Sequence, residues 1–201
     1  MSFETVVRSR RMTRSFSTRP VDDAVLDRMV ALAARAPSAG KTQGWHLVVL
    51  SGAETAKFWD ITLSAARRAT FKWPGLLQAP LIALPLADPD AYVQRYAEPD
   101  KAAAGLGAGV AAWPTPYWTI DAAMAVNTLL LAAEAQGLGA LLFAVFRGEA
   151  ELRAELAIPD RLQLLGAIAL GWPDHSMPAT KGRSATRPTR LAEQVIHRGG
   201  W

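Results

Sequence analysis

Four arginines lie close together in the segment from Arg8 to Phe16 (RSRRMTRSF), with hydroxyl side chains between them. A guanidinium is permanently charged, and its planar fork of N–H donors suits a phosphate group or the edge of an anionic ring. From charge alone, the simpler interpretation is the solvated, basic end of a first helix. A second segment, Ala36 to Trp45 (APSAGKTQGW), follows after one amphipathic helix and forms a small-residue loop. Together the two segments indicate a binding site around which the rest of the chain is organised.

The composition indicates one compact domain over residues 1–201, with a core that dimerisation would help to complete. The chain has 201 residues, of which 50% are hydrophobic, and a net charge of +4. This charge mildly favours anionic partners such as a phosphorylated cofactor. Because no lysine-rich run supports DNA binding, we expect no nucleic-acid partner. Residues 174–201 are polar and basic, and they are predicted to form a C-terminal arm rather than a second domain.

Several classes of site are excluded or disfavoured by residue types. The absence of cysteine excludes disulfides, thiol catalysis and iron–sulfur clusters, and it is compatible with the cytoplasmic location that we expect. His46, His175 and His197 are isolated from one another in sequence, so no metal site is predicted. Polar residues interrupt the apolar run 120–145, which indicates a buried helix followed by a strand rather than a membrane span.

Hydrophobic periodicity and turn residues predict the elements that position the two segments. One helix begins at the acidic pair Asp22-Asp23, which complements the helix dipole, and ends before Pro37. A long and nearly all-apolar helix over 119–136 is capped by Gly137 and is expected to be buried. Further helices are predicted over 3–10, 53–70 and 149–156, and strands over 45–50, 79–87, 138–145 and 164–170, with an edge strand over 194–197.

The stretch 88–118 is rich in proline and glycine and is predicted to be irregular. It is longer than an ordinary connection, which is typical of a functional loop or of a poorly ordered insertion. Trp113, Tyr117 and Trp118 lie near its end. These aromatic residues favour a lid that packs over a flat substrate.

Four motifs and the basic arm occur in an order that resembles the FMN-dependent nitroreductase family. The motifs are residues 10–16 (RRMTRSF), 36–39 with 43–45 (APSA, QGW), 137–139 (GLG) and 170–173 (LGWP). The resemblance covers almost the whole chain. It implies an α+β fold with a central, mainly antiparallel sheet flanked by helices. It also implies a homodimer that holds one FMN at each subunit interface.

The resemblance implies roles for individual residues as well. The phosphate-binding positions fall on Arg10 and Arg11, and Arg14 falls near the pyrimidine edge of the flavin. Met12 belongs to the same cofactor-binding segment, although serine is common there. The remaining cofactor positions are Pro37, Ser38, Ala39 and Lys41 from the second subunit, Ala144 and Val145 near flavin N5, and Arg187 and Arg190 near the phosphate.

The activity implied by the resemblance is ping-pong electron transfer from NADH or NADPH, through FMN, to a nitroaromatic, a quinone or a related electron-poor acceptor. The flavin carries the chemistry, so no catalytic side chain is required. Lys41 and Gly44 stand where asparagine and proline are common in the family, so the resemblance does not specify the acceptor. One alternative is a specialised flavin enzyme of the same fold, such as an azoline oxidase or a flavin-fragmenting enzyme. Another is a non-catalytic binding module that uses the basic surface.

Overall fold

The computed structural model describes residues 1–176 and 186–201 and has an α+β fold built on one antiparallel sheet. The helices are α1 (Phe3–Ser9), α2 (Asp23–Ala33), α3 (Thr55–Thr62), α4 (Ala65–Arg68), α5 (Pro89–Ala97), α6 (Tyr117–Ala135) and α7 (Glu149–Glu155). The strands are β1 (Trp45–Ser51), β2 (Leu81–Ala87), β3 (Gly139–Phe143), β4 (Gln163–Leu164) and β5 (Ala167–Gly171). Among the described residues, no helix combines the length and the apolar character that crossing a membrane requires.

Strand β2 lies at the centre of the sheet, in the order β1-β2-β5-β3, and it also pairs with the short β4. All of these pairings are antiparallel, and all seven residues of β2 are buried. Ile82 and Leu84 point into one apolar layer, whereas Leu81 and Ala83 point into the other. This alternation follows from the two-residue period of a strand, and it explains why both faces of β2 are apolar.

Helices cover both faces of the sheet. On one face, α3 contributes Phe58 and Trp59, and α7 contributes Leu152. On the other face, α2 packs against α6, of whose 19 residues nine are buried. Gly137 follows the end of α6 with φ 76°, so the predicted glycine stop of this helix is confirmed. The two helical layers pack against the sheet, and the two motif segments lie next to the ends of its strands.

The predicted helix over 53–70 and the predicted strand over 164–170 are each broken in the structure. A 3₁₀ turn over Gly52–Glu54 precedes α3, and Leu63 adopts an extended conformation that separates α3 from α4. Gly166, with φ 134°, separates β4 from β5. An added side chain at Gly166 would lie 2.6 Å from the Phe143 carbonyl, so the backbones approach closely at this break. Apolar periodicity did not reveal either interruption.

The prediction of an irregular stretch over 88–118 is wrong for its first part, which forms α5. Asp88 caps this helix by accepting hydrogen bonds from the backbone N–H groups of Asp90 and Ala91. Pro89 occupies the first turn, where the missing N–H of proline costs nothing. Three short 3₁₀ turns follow, over Ala102–Ala104, Leu106–Ala108 and Val110–Ala112.

The predicted edge strand over 194–197 is also wrong for the single chain. A 3₁₀ turn covers Ala192–Gln194, and the N–H of Ile196 donates to the Ala192 carbonyl at 2.8 Å. Leu191, Val195, Ile196 and Trp201 nevertheless expose apolar side chains along the arm. Lys181 and Arg183, which contributed to the basic character of the arm, lie outside the described residues.

Candidate functional site

Backbone hydrogen bonds fix the arginine segment against the sheet. The N–H of Thr13 donates to the Ala140 carbonyl of β3 at 3.0 Å. The N–H of Asp174, just after β5, donates to the Ser15 carbonyl at 3.0 Å. At Gly139 any side chain would collide with that of Thr13, which explains a glycine at the start of β3. The arginine segment, including Arg14, is therefore fixed beside the start of β3 and the end of β5.

The two arginines predicted to bind phosphate have different environments. Arg11 folds back on α1, and its Nη1 donates to the carbonyls of Arg8, Ser9 and Arg10 at 2.6, 3.2 and 2.9 Å. It therefore caps the free carbonyls at the end of that helix. The half-buried guanidinium of Arg10 makes no hydrogen bond to the described residues, so it is the better placed of the two to bind an anion. Met12 is exposed, and its backbone forms a parallel bridge with Ala140.

A cavity of about 340 Å³ lies beside this segment. Arg14 lines it together with Ala144 and Val145, so the structure brings these three predicted positions together. Its walls come from α3, from the segment before β2, and from β3 with the residues after it. The lining residues are Arg14, Phe58, Trp59, Thr62, Leu63, Phe71, Trp73, Leu76, Leu141, Leu142, Phe143, Ala144, Val145, Phe146 and Arg147.

Aromatic rings dominate the walls of the cavity. Trp59 and Phe143 stack with an interplanar angle of 2° at a centroid distance of 5.9 Å, and Phe58 meets both rings edge-on. The indole N–H groups of Trp59 and Trp73 are buried, and neither has a hydrogen-bond partner. The arrangement is suited to a flat, apolar ring system, because aromatic faces and edges pack favourably on another π-system.

Two cations lie close to Trp73. The guanidinium carbon of Arg14 is 5.4 Å from the ring centroid, and Nζ of Lys72 is 5.3 Å from it. Lys72, Trp73 and Arg147 were not predicted as site residues from the sequence. For two of them the sequence signal was a lysine and a tryptophan immediately before Pro74, but nothing in the sequence places this pair near the arginine segment.

The small-residue loop lies apart from this cavity within the single chain, and three of its residues have left-handed backbone angles. These are Gly40, Lys41 and Gln43, with φ of 61°, 55° and 53°. Left-handed angles in residues other than glycine cost on the order of 1–3 kcal/mol each, so the surrounding structure must hold the loop. Ser38 and Lys41 line a separate depression of about 240 Å³. Pro37 is exposed.

Helices α5 and α6 supply the contacts that hold the loop. Oδ2 of Asp121 accepts hydrogen bonds from the Ala39 backbone N–H at 2.7 Å and from the Tyr92 hydroxyl at 2.8 Å. Nε of Arg95 donates to the Gly40 carbonyl at 2.9 Å. A side chain at Gly44 would lie 2.7 Å from the Tyr92 ring, which explains why glycine occupies a position where proline is common. We call Tyr92, Asp121 and Ala39 the loop clamp.

The loop clamp is buried, and this changes the acidity of its hydroxyl. Tyr92 is 1% exposed and Asp121 is 5% exposed. Burial, together with the hydrogen bond and the charge of Asp121, raises the pKa of Tyr92 well above its ordinary value, whereas a contact with Ser38 opposes the shift. The Tyr92 hydroxyl therefore keeps its proton, and continues to donate to Asp121, at a higher pH than an exposed tyrosine would. Neither Asp121 nor Tyr92 was predicted as a site residue from the sequence.

The predicted lid and arm residues are distributed differently from the expectation. Trp113 and Trp118 are buried, each 8% exposed, and both pack around Tyr92. The lid prediction therefore rests on Tyr117, which is 42% exposed. Arg187 and Arg190 are exposed, and Arg190 donates to the Gln194 carbonyl within the arm itself.

Comparisons with known proteins agree with this architecture. The chain is 31% identical to a 5,6-dimethylbenzimidazole synthase of Rhodobacter capsulatus, over 98% of this chain and 88% of that protein. It is 28% identical to a 4-nitrobenzoate reductase of Nocardioides sp., over 93% of this chain and 87% of that protein. The structure of an FMN-dependent nitroreductase of Clostridium difficile R20291 aligns with a TM-score of 0.66, at 20% identity and 98% coverage of both chains. The model of the nitroreductase family matches residues 7–172, and the chain therefore belongs to the nitroreductase family.

Proposed function

We propose that the protein is an FMN-dependent oxidoreductase that passes electrons from NADH or NADPH to a nitroaromatic, a quinone or a related electron-poor acceptor. One observation carries this proposal. An aromatic cavity joins the Arg14 guanidinium to the Ala144-Val145 segment, and the family typically uses FMN. When bound, FMN supplies the redox chemistry by accepting two electrons from the donor and releasing them to the acceptor.

The residues of the cavity fit a flavin. A tricyclic ring needs a flat, apolar space, and the stacked pair Trp59 and Phe143 belongs to the walls of such a space. The pyrimidine end of the ring gathers negative charge, and Arg14 places a fixed cation at the same cavity. The phosphate needs a guanidinium without competing partners, and Arg10 makes no hydrogen bond to the described residues.

The roles of the chain's own residues follow from these contacts. Arg14 would stabilise negative charge at the pyrimidine edge, and Arg10 would bind the phosphate. Arg11 would contribute positive potential while it caps α1. Arg187 and Arg190 would complete the phosphate site. Their exposure in the single chain is compatible with an arm that reaches the second subunit.

We also propose a homodimer in which the small-residue loop lines the partner's flavin. Within the single chain, Ser38 and Lys41 lie outside the aromatic cavity, so their predicted cofactor contacts require a second copy. The loop clamp would fix Ser38 and Ala39, together with the neighbouring Pro37, for this purpose. Large apolar side chains that a partner could cover are exposed at Phe3, Val7, Met12, Leu32, Tyr117, Ile120, Phe146, Leu191, Val195, Ile196 and Trp201.

A second candidate function is fragmentation of the flavin itself. The observation that favours it is the 31% identity to the 5,6-dimethylbenzimidazole synthase, which covers nearly the whole chain. Turnover separates the two functions. The first predicts repeated oxidation of NADH or NADPH with a nitroaromatic acceptor and no loss of FMN. The second predicts that FMN is consumed and that a nitroaromatic is reduced poorly.

The absorbance spectrum of the purified protein tests the proposal, with two arginine variants as a matched pair. We expect a yellow protein with bound FMN, and Arg10→Ala should weaken FMN binding about 10- to 100-fold, because a charged hydrogen bond contributes roughly 1.5–3 kcal/mol. Arg8→Ala is the control, because Arg8 pairs with Glu4 on the exposed side of α1. A colourless wild type would refute the proposal and favour a binding role, and equal affinities of the two variants would refute the role of Arg10.

A further inference from the structure

We infer that the aromatic cavity selects flat aromatic acceptors that carry a carboxylate, and that Arg147 binds this carboxylate. The inference rests on the proposed function, because it names the acceptor class of the same site. It goes beyond that function by assigning a charge to the acceptor and a recognition residue to the protein.

The walls of the cavity set the shape of the acceptor. Phe71 and Trp73 meet edge-on at 5.9 Å, close to the stacked pair formed by Trp59 and Phe143. Rings in these two arrangements pack against another aromatic ring through both faces and edges. A flat aromatic acceptor would therefore bury its ring against Phe71 and Trp73, beside the Trp59–Phe143 pair that the proposed function assigns to the flavin, and a bulky aliphatic acceptor would not gain these contacts.

The charges at the cavity set the sign of the acceptor. Arg14 and Arg147 both line it, and its described lining contains no aspartate or glutamate. Lys72 adds a third positive charge beside Trp73. One cation suffices for the pyrimidine edge of the cofactor. The apolar rings of the cavity reduce the screening by water of the attraction between the other cations and an anion. The remaining positive charge favours an acceptor with an anionic group.

Arg147 is the side chain best placed to bind that group. It follows Phe146, which is 85% exposed, at the point where the chain leaves the cavity for α7. The nearby Glu149 pairs with Arg153 at 2.9 Å, and Glu155 pairs with Lys57 at 3.9 Å. Within the described residues, Arg147 makes no ion pair or hydrogen bond, so its guanidinium can form the two parallel bonds that a carboxylate accepts.

Arg14 is less available for this purpose. Its Nη1 donates to the Met12 carbonyl at 3.1 Å, and its guanidinium lies over Trp73. It comes from the segment that the proposed function assigns to the cofactor. The two guanidiniums thus divide the work, with Arg14 on the cofactor and Arg147 on the acceptor. The similarity to a 4-nitrobenzoate reductase is consistent with an acceptor of this chemistry.

Binding of benzoate and benzamide to the FMN-loaded protein tests the inference without turnover. The two molecules have the same ring and nearly the same size, but only benzoate is charged. Isothermal titration calorimetry should give a dissociation constant for benzoate roughly three- to ten-fold below that for benzamide, as expected for a partly exposed ion pair beside an apolar surface. In Arg147→Gln the ratio should fall to about one. The ratio of kcat/KM for 4-nitrobenzoate over 4-nitrobenzamide should change in parallel.

The control variant is Arg161→Gln, which changes the net charge equally at a surface arginine outside the cavity lining. Its benzoate preference should match that of the wild type. Equal binding of benzoate and benzamide by the wild type would overturn the inference, and so would a preference that survives in Arg147→Gln or is lost equally in Arg161→Gln. Failure of the proposed function would appear separately, as a colourless protein or as no turnover of neutral nitroaromatics.

Discussion

Removing the Tyr92 hydroxyl from the loop clamp should lower the free energy of unfolding by more than the loss of a single oxygen atom suggests. In Tyr92→Phe the ring keeps its packing against Trp113 and Trp118, but Asp121 loses the donor at 2.8 Å. The carboxylate is 5% exposed, so water cannot replace that donor freely. A hydrogen bond to a charged group contributes roughly 1.5–3 kcal/mol, which is the expected loss in the free energy of unfolding.

The same helix offers a matched control. Tyr96→Phe removes the same atom from a residue in the same aromatic cluster, and the Tyr96 hydroxyl makes no hydrogen bond within the described residues. Its effect should stay within about 0.5 kcal/mol. For a chain of this length each kcal/mol lowers Tm by about 2–4 °C, so Tyr92→Phe should melt about 3–12 °C below the wild type.

Urea unfolding followed by circular dichroism measures the free energies, and FMN titration measures the functional consequence. Because the clamp also holds Ala39, FMN affinity should fall in Tyr92→Phe and remain unchanged in Tyr96→Phe. The cycle of Tyr92→Phe and Asp121→Asn should show a coupling energy, since the two side chains share one hydrogen bond. Equal stabilities of the two phenylalanine variants would refute the clamp.

Three further predictions address the cofactor site, alkaline stability and the arm. Arg14→Gln should lower the reduction potential of bound FMN by about 30–60 mV, measured by dye equilibration, if the cation contributes roughly 1.4–2.8 kcal/mol to the charged form; a potential equal to that of the wild type would remove this role. Folding raises the pKa of Tyr92, so its contribution to stability is complete below the ordinary tyrosine pKa of 10.0 and is lost as the pH rises above that value. Above pH 10.0 the free energy of unfolding of the wild type should therefore fall more steeply with pH than that of Tyr92→Phe, and parallel curves would contradict the prediction. Removing residues 177–201 should give a colourless protein that elutes as a monomer, and a yellow dimer would refute the proposed role of the arm.

Local patterns predicted most elements of the fold because their causes are local. The continuous apolar run of β2 and the glycine after α6 each depend on neighbouring residues, and both appear in the structure as expected. Helix α5 was missed because proline was interpreted as a breaker, although Pro89 occupies the one turn of a helix that tolerates it. The break at Leu63 has no comparable signal in the sequence.

The candidate site was predictable only in part, because its geometry depends on long-range contacts. The family resemblance led to Arg14, Ala144 and Val145, which share one cavity. The loop clamp joins Ala39 to Asp121, which are 82 positions apart, and no periodicity links them. The aromatic walls of the cavity were not predicted for the same reason, because the helical pattern of α3 does not show which distant strand this helix will face.

Anaerobic addition of NADH or NADPH to the purified protein is the most direct test of the central claim. We expect the visible flavin bands to bleach with at least one donor and to return when a nitroaromatic or a quinone is added, repeatedly and without loss of FMN. A colourless protein, or flavin bands that neither donor bleaches, would contradict the assignment of this cavity to an FMN-dependent oxidoreductase.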